Sequence, residues 1–176
     1  MTGYEGGTPE EVGISLGDPA AGIATAYLLI AALIARRRTG EGQFIDTSLW
    51  EATASSTAEG WTQKILTGDQ PEPCGNRDPL MAPHNLYRCK GDDDWVAISC
   101  STDEEWRQLA TLLGVDDDKF LTQPSRKVFE DELDAVIGKW TLTKDQWEVT
   151  RLLQANGIAA IPSLDAQLLE KVMDLL

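Results

Sequence analysis

Asp18 is the residue of this chain whose type and setting could do chemistry. It stands in the segment ISLGDPAAG (residues 14–22), where an apolar run meets a small-residue turn before a long apolar stretch. A carboxylate can act as a nucleophile or as a general acid–base group. An Asp–Pro pair before a helix has another interpretation, in which the carboxylate caps the free N–H groups and Pro19 fills the first helical position. The segment alone favours the cap.

Residues suited to metal or redox chemistry are sparse. The cysteines Cys74, Cys89 and Cys100 show no metal-binding spacing, and His84 is the single histidine. No familiar zinc pattern can be assembled from them, so we expect no metal site. The first residues, MTGYE, have neither the basic start nor the apolar stretch of a secretory signal, and we expect a cytoplasmic protein with reduced thiols.

The composition is that of a soluble globular protein. Of 176 residues, 42% are hydrophobic and 25% are charged, and the formal net charge is −14. This charge argues against nucleic acid and against anionic membrane surfaces as partners, since both would repel it. The apolar run Ala20–Ala35 is shorter than the roughly 20 residues that cross a bilayer, so we interpret it as a buried core helix.

The first part of the chain predicts an α/β layer. A helix from about Pro19 to Arg38 is apolar on almost every face and should be covered on all sides. Gly40 is placed to end it in a left-handed conformation. Phe44–Leu49 has the pattern of a short strand, and Trp50–Leu66 that of a second helix.

The rest of the chain predicts a separate α+β domain. Residues 67–79 are rich in turn formers and mark a linker, which divides the chain into 1–66, 67–79 and 80–176. Beyond the linker, Leu86–Cys89 and Trp95–Cys100 are typical of a β-hairpin, and Ile158–Pro162 of a further strand. Helices are expected over 103–113, 131–141 and 143–156, the first capped by Thr102 or Asp103. Their apolar stripes predict these core residues: Trp106, Leu109, Leu112, Leu113, Leu133, Val136, Ile137, Trp140, Trp147, Leu152 and Leu153.

Several spaced motifs together resemble the family III CoA-transferases, the group of formyl-CoA transferase, carnitine-CoA transferase and 2-methylacyl-CoA racemase. They are the Asp18 turn, RRRTGEGQ at 36–43, GNRDP at 75–79, and Ala82-Pro83 with His84. The resemblance covers most of the chain. It implies that the helix, strand and helix of residues 1–66 are part of a Rossmann-like large domain, and that 80–176 is the small domain.

The resemblance implies that Asp18 is the catalytic carboxylate. In transferases of this family it attacks an acyl-CoA thioester, and CoA then passes through an aspartyl-CoA thioester to a second carboxylic acid. The racemases instead use the Asp with an upstream His as an acid–base couple, supported by a Glu that aligns with Thr102. Thr102, and Pro19-Ala20-Ala21-Gly22 in place of a glycine-rich run, favour a transferase.

Family members are roughly twice this length or more, and the lobe that supplies most CoA contacts has no counterpart in this chain. We therefore expect a partial polypeptide that is inactive without an N-terminal lobe, or a non-catalytic structural fragment. The resemblance assigns no CoA-binding residue here. Arg36, Arg37 and Arg38 could neutralise phosphates but suit a solvated helix end. His84 could face the site or be structural. Relatives form interlocked dimers, so self-association is expected too.

Overall fold

The computed structural model describes residues 2–11 and 15–164. They divide into two compact units, Met1–Gly75 and Asn76–Leu176, here called unit 1 and unit 2. The division falls inside residues 67–79, the segment dense in turn formers. Each unit is described below by itself.

The described part of unit 1 is helical. It contains α1 (Gly17–Thr39), α2 (Leu49–Ser56) and α3 (Ala58–Thr67). Helix α1 ends as expected, because Gly40 has φ 80° and its N–H donates to the carbonyl of Arg36 at 2.8 Å.

The predicted strand Phe44–Leu49 is wrong. Residues 41–48 are irregular, and Leu49 already begins α2. A strand exists only where a neighbouring strand pairs with it, and the described residues of unit 1 provide no such neighbour. The helix–strand–helix arrangement of a Rossmann-like layer is therefore not seen in this unit.

The predicted helix Trp50–Leu66 is broken in two at Thr57, which has φ −110° and ψ 29°. Three successive hydroxyls bond to the backbone just before the break. Ser55 donates to the Glu51 carbonyl at 2.8 Å, Ser56 to that of Ala52 at 3.1 Å, and Thr57 to that of Ala54 at 3.1 Å. Side chains of this type compete with the helical ladder and bend or end helices.

Helix α1 is longer and more exposed than the sequence interpretation assumed. It has 23 residues, and none of them is buried. By length and apolar composition alone it could cross a membrane, as core helices of soluble proteins also could. The expected cover on all sides is absent from the described residues of unit 1, in which α2 is the helix that contacts α1. Its exposed large apolar side chains are Ile23, Tyr27, Leu28, Leu29, Ile30, Leu33 and Ile34.

Unit 2 is a small α+β domain, as predicted. In chain order its elements are β1 (His84–Arg88), β2 (Trp95–Ser99), α4 (Asp103–Leu113), a 3-10 turn (Asp118–Phe120), α5 (Gln123–Val128), α6 (Glu130–Thr141), α7 (Gln146–Ala155) and β3 (Ala159–Pro162). The sequence interpretation missed the 3-10 turn and α5, which are too short to show an apolar period.

The three strands form one antiparallel sheet with β2 in the centre. His84 pairs with Ser99 and Arg88 with Trp95, so the predicted hairpin is confirmed. Strand β3 pairs with the other edge of β2, where Pro162 lies opposite Val96. Pro83 precedes β1 and Pro162 ends β3.

The core of unit 2 lies between the sheet and the helices. Val96 and Ile98 alternate with the half-buried Ala97 and Ser99 along β2, the period of a strand with one covered face. Of the predicted core residues, Trp106, Leu109, Leu133, Ile137 and Leu153 are buried, and the other six are half-buried. Val149, which the prediction omitted, is also buried, and Trp147 is half-buried.

Candidate active site

Asp18 is the second residue of α1 and is exposed to solvent. The N-cap is Leu16, whose carbonyl accepts from the N–H of Ala20 at 3.2 Å. Pro19 is therefore the third helical residue, and it lacks an N–H at a position where the helix has no acceptor for one. The capping interpretation of Asp18 is thus wrong, since no side chain caps this helix end.

The Asp18 carboxylate is left available by this arrangement. No group in the described part of the chain donates a hydrogen bond to it or forms an ion pair with it. Its place in the first turn puts it at the positive end of the helix dipole, which stabilises an anion there. An ionised carboxylate with accessible lone pairs can act as a nucleophile or accept a proton.

Gly17 sets the position of Asp18 by packing against α2. A Cβ at Gly17 would lie 3.1 Å from Leu49 Cδ2 and 3.2 Å from Thr53 Oγ1. Both distances are tighter than ordinary contact, so glycine lets the first turn of α1 approach α2 closely, and a larger residue would displace Leu49 or Thr53 by a few tenths of an ångström. Helix α2 is itself fixed at its start by Ser48, whose hydroxyl accepts from the N–H of Glu51 at 3.4 Å.

An apolar groove of about 440 Å³ lies along α2 and α3. Two of its lining residues, Leu49 and Thr53, are also those that approach Gly17. The full lining is Leu49, Trp50, Thr53, Ala54, Thr57 and Trp61. None of these side chains carries a charge.

The arginines of the RRRTGEGQ motif lie at the opposite end of α1. Arg36, Arg37 and Arg38 occupy its last turn and are exposed, where their charge complements the negative end of the helix dipole. Asp18 and these arginines are therefore separated by most of the 23-residue helix, about 27 to 30 Å at 1.5 Å per residue.

His84 belongs to unit 2, at the start of β1. Its Nδ1 lies 2.5 Å from the backbone oxygen of Asn76, and the ring is half-buried. A carbonyl can only accept, so Nδ1 carries the proton in this contact. The bond anchors the segment after Gly75 to the sheet, which is a structural role.

Arg77, in the GNRDP motif, takes part in a polar network that the sequence interpretation missed. Its guanidinium pairs with Asp131 and, at 3.1 Å, with Asp134 of α6. Asp134 also accepts from the Tyr87 hydroxyl at 2.6 Å and from the Asn85 amide at 3.0 Å. Asp134 thereby links α6 both to β1 and to the Arg77 of the motif. The spacing of Asp131 and Asp134 on one helix face was the available signal.

The network shifts the pKa values of its members. Hydrogen bonding with Asp131 raises the pKa of Arg77 above its ordinary value, against the effect of burial. Burial, together with the negative charge of Asp134, raises the pKa of the Tyr87 hydroxyl well above 10.0. Both groups therefore keep their protons throughout the neutral range.

Thr102 is engaged in a capping box at the start of α4. Its hydroxyl accepts from the N–H of Glu105 at 3.2 Å, and Glu105 Oε2 accepts from the N–H groups of Ser101 at 2.6 Å and Thr102 at 3.1 Å. Of the two predicted caps, Thr102 and Asp103, Thr102 is the one that caps α4, so its side chain has a structural function.

The buried cysteines of unit 2 are inert thiols. Burial raises the pKa of Cys89 to about 11 and that of Cys100 to about 12. A thiol is nucleophilic or metal-binding only as the thiolate. Within residues 2–11 and 15–164, no three His, Cys, Asp or Glu side chains are grouped to hold a metal ion.

The sequence matches the family model of CoA-transferase family III over residues 1–173. The chain therefore belongs to CoA-transferase family III, an enzyme family whose substrates are CoA thioesters.

Curated relatives are CoA-transferases. The chain is 34% identical over 166 residues to the succinyl-CoA–D-citramalate CoA-transferase of Chloroflexus aurantiacus, covering 91% of this chain and 40% of that enzyme. It is 28% identical over 167 residues to the succinate–glutarate CoA-transferase of Agrobacterium fabrum, covering 93% of this chain and 40% of the relative. The chain thus spans about two fifths of the length of these two relatives.

The fold is shared with solved structures. A CAIB/BAIF family protein from Brucella suis superposes with a TM-score of 0.85 at 27% identity, covering 95% of this chain and 45% of that one. The Rv3272 protein of Mycobacterium tuberculosis gives a TM-score of 0.73 at 24% identity, with 96% and 45% covered.

Proposed function

We propose that this chain supplies the catalytic carboxylate of an acyl-CoA:carboxylate CoA-transferase, and that Asp18 is that carboxylate. The observation that carries the proposal is the position of Asp18, exposed and without a hydrogen bond from the described residues, at the start of α1 where Leu16 is the cap. An aspartate that neither caps nor pairs contributes little to the fold, which leaves its carboxylate for chemistry.

The proposed reaction has two exchanges. Asp18 attacks the carbonyl carbon of an acyl-CoA, the carbon–sulfur bond breaks, and a mixed anhydride and CoA thiolate form. The thiolate then attacks the aspartyl carbonyl of the anhydride, which releases the donor acid and leaves an aspartyl-CoA thioester. The acceptor acid reverses both steps, so a new acyl-CoA leaves and the Asp18 carboxylate is regenerated.

The first turn of α1 suits this chemistry electrostatically. The N–H groups of Gly17 and Asp18 precede the first intrahelical hydrogen bond, which Ala20 donates to Leu16. Unpaired N–H groups at a helix start stabilise negative charge, including charge that develops on an oxygen in a transition state.

Thr102 supports a transferase over a racemase. An acid–base mechanism at the α-carbon uses a carboxylate at this position. Here the residue is Thr102, whose hydroxyl accepts from the N–H of Glu105 in the capping box of α4. The proposal therefore assigns CoA transfer between acids and no proton exchange at the α-carbon.

We further propose that the active form contains a complementary lobe that this chain does not include, and that the enzyme acts in the cytoplasm. Two observations support the complementary lobe: the chain spans 40% of the Chloroflexus and Agrobacterium relatives, and the apolar side chains of α1 are exposed. Apolar patches of this kind mark surfaces that a partner covers. The same surface supports self-association. Acyl-CoA and a carboxylic acid are the substrates.

The test is covalent trapping at Asp18. The chain is mixed with the upstream lobe of a family III relative and an acyl-CoA, quenched with borohydride or hydroxylamine, and digested for mass spectrometry. The peptide that contains Asp18 should carry the adduct in wild type and none in Asp18→Asn. Asp46→Asn is the matched control, because Asp46 is an exposed acid of the same unit and should leave the adduct unchanged.

The competing hypothesis is a non-catalytic structural fragment. It predicts no adduct on wild type under conditions in which the relative's own intact enzyme is labelled. It also predicts that no complementary chain copurifies with this one. Equal labelling of wild type and Asp18→Asn would reject Asp18 as the nucleophile.

A further inference from the structure

Helix α7 is followed by the pair Asn156-Gly157, the one place in the sequence where glycine comes directly after asparagine. Such a pair can rearrange covalently without an enzyme, because glycine has no side chain to hinder its own amide nitrogen. The other two asparagines, Asn76 and Asn85, are followed by residues with long side chains, which hinder the same rearrangement. Asn156 and Gly157 are both exposed to solvent, so water can reach them.

The rearrangement joins the two residues in a ring and needs no oxidant or reductant. The Gly157 amide gives up its proton, and its nitrogen attacks Cγ of Asn156. The bond between Cγ and Nδ2 then breaks, and Nδ2 takes up a proton and leaves as ammonia. One water hydrolyses the resulting five-membered succinimide at either carbonyl. The products are aspartate and isoaspartate, in which the main chain runs through Cβ and Cγ.

The folded structure holds the reacting atoms apart. The Gly157 N–H donates to the carbonyl of Gln154 at 3.0 Å, and Nδ2 of Asn156 donates to that of Leu152 at 2.8 Å. The ring needs the Gly157 nitrogen on the same side as the Asn156 Cβ, and the ψ of 17° at Asn156 turns that nitrogen away. Ring closure therefore requires that both hydrogen bonds break and the last turn of α7 opens. Helix ends open far more readily than a whole domain unfolds.

We propose that Asn156 is a site of spontaneous deamidation, exposed to reaction by opening of the last turn of α7, and that the product loosens β3 from the sheet. A carboxylate at this position cannot donate to the Leu152 carbonyl, and it adds negative charge at the negative end of the helix dipole. Isoaspartate also lengthens the main chain by an atom between α7 and β3. The altered bond comes just before the buried Ile158 and before Ala160, which lies opposite Ile98 of β2.

The test follows the full chain during incubation at mildly alkaline pH. Peptide mass spectrometry with electron-transfer fragmentation locates each deamidation and distinguishes aspartate from isoaspartate. A synthetic peptide of residues 146–163 gives the rate without the fold. Deamidation should appear first at Asn156, roughly tenfold or more slowly than in the peptide, since the turn must open before the ring can close. Asn76 and Asn85 are internal controls and should react more slowly than Asn156.

Two variants separate the chemistry from its structural effect. Asn156→Gln keeps a side-chain amide but would need a larger ring, so modification at this position should disappear. Asn156→Asp reproduces the aspartate product and should lower the melting temperature. Its β3 amides should exchange hydrogen faster than those of wild type, whereas the amides of α4 should exchange at the wild-type rate. Circular dichroism checks that both variants keep their helices.

Three results would overturn the proposal. The first is a deamidation rate at Asn156 no higher than at Asn76 or Asn85. The second is an equal rate in the folded chain and the peptide, because the turn would then not control the reaction. The third is deamidated chain, isolated by ion-exchange chromatography, in which β3 exchanges as slowly as in unmodified protein.

Discussion

The Tyr87 hydroxyl donates a 2.6 Å hydrogen bond to Asp134 Oδ1, which joins β1 to α6. Tyr87 is 4% exposed, and the other oxygen of the same carboxylate accepts from Asn85 and pairs with Arg77. Arg77 of the GNRDP motif, Asn85 and Tyr87 therefore share the carboxylate of Asp134 in unit 2.

Tyr87→Phe should destabilise unit 2 by about 1.5 to 3 kcal/mol, the usual contribution of a hydrogen bond to a charged group. Asp134→Ala should lower the free energy of unfolding more than Tyr87→Phe does, because it leaves a buried hydroxyl without its acceptor and removes one of the acidic partners of Arg77. Urea unfolding measures both effects. Tyr4→Phe, at a tyrosine 68% exposed, is the control and should change the free energy of unfolding by less than about 0.5 kcal/mol. If Tyr87→Phe and Tyr4→Phe change the free energy of unfolding equally, the Tyr87–Asp134 hydrogen bond does not stabilise unit 2.

Gly17→Ala and Gly22→Ala should have opposite effects on the stability of unit 1. A methyl group at Gly17 would press on Leu49 and Thr53, and overpacking of this kind costs about 1 to 3 kcal/mol. At Gly22 nothing lies within 4 Å, so alanine should stabilise the helix by about 0.5 to 1 kcal/mol. The change in melting temperature shows whether each variant is stabilised or destabilised. In the trapping assay Gly17→Ala should also lower adduct formation, since it displaces the first turn that carries Asp18.

Thr102→Ala should lower stability by about 0.5 to 2 kcal/mol, the usual loss when a helix cap is removed. Thr102→Ser keeps a hydroxyl that can accept from Glu105 and should lie close to wild type. Differential scanning calorimetry distinguishes the two variants. If alanine and serine behave alike, the hydroxyl does not hold α4, and the argument from Thr102 against a racemase weakens with it.

Alkaline pH should destabilise unit 2 through Cys100. Burial raises its pKa in the folded state from the ordinary thiol value of 9.0 to about 12, so the folded state retains a proton that the unfolded chain releases. The stabilisation is complete below pH 9.0 and is lost as the pH rises towards 12. The slope should be on the order of 1 kcal/mol per pH unit for this group.

Urea unfolding between pH 8.5 and 11.5 measures that slope, and Cys100→Ala should reduce it. Leu109→Ala is the control: it lowers stability at every pH by emptying a buried site but keeps the slope. An unchanged slope in Cys100→Ala would show that this thiol does not contribute.

Limited proteolysis should cut first between Thr67 and Pro79, where the turn formers lie and where units 1 and 2 divide. Mass spectrometry of the early fragments identifies the site. First cuts inside residues 95–160 with an intact linker would reject this organisation.

Sequence patterns predicted unit 2 better than unit 1, for a physical reason. The hairpin, the Thr102–Glu105 box and the stripe through Leu133 and Ile137 are local signals whose partners lie in the same unit. The Phe44–Leu49 pattern needed a neighbouring strand, and local sequence carries no information on whether one is present. The break at Thr57 accompanies hydrogen bonds from the hydroxyls of Ser55, Ser56 and Thr57 to backbone carbonyls, and the sequence does not show which acceptors these hydroxyls bind.

The candidate site was only partly predictable. Asp18 was found through a family pattern, whereas its freedom from capping depends on the helix starting two residues before Pro19, at Gly17. Helix boundaries of this precision are set by packing, here by the approach of Gly17 to Leu49. The spacing of Asp131 and Asp134 marked an acidic face of α6, but it could not identify Arg77 as the partner, because Arg77 lies more than 50 residues away in the sequence.

The sheet of unit 2 ends in proline on both sides, with Pro83 before β1 and Pro162 closing β3. Proline offers no N–H. The carbonyl of Pro83 accepts from the N–H of Cys100, so Pro83 faces β2, whereas Pro162 leaves the outer edge of β3 without a donor at its end. Edges interrupted in this way resist the stacking that leads to fibrils. Aggregation of the isolated chain should therefore begin at α1 and yield amorphous, helix-containing precipitate without thioflavin fluorescence.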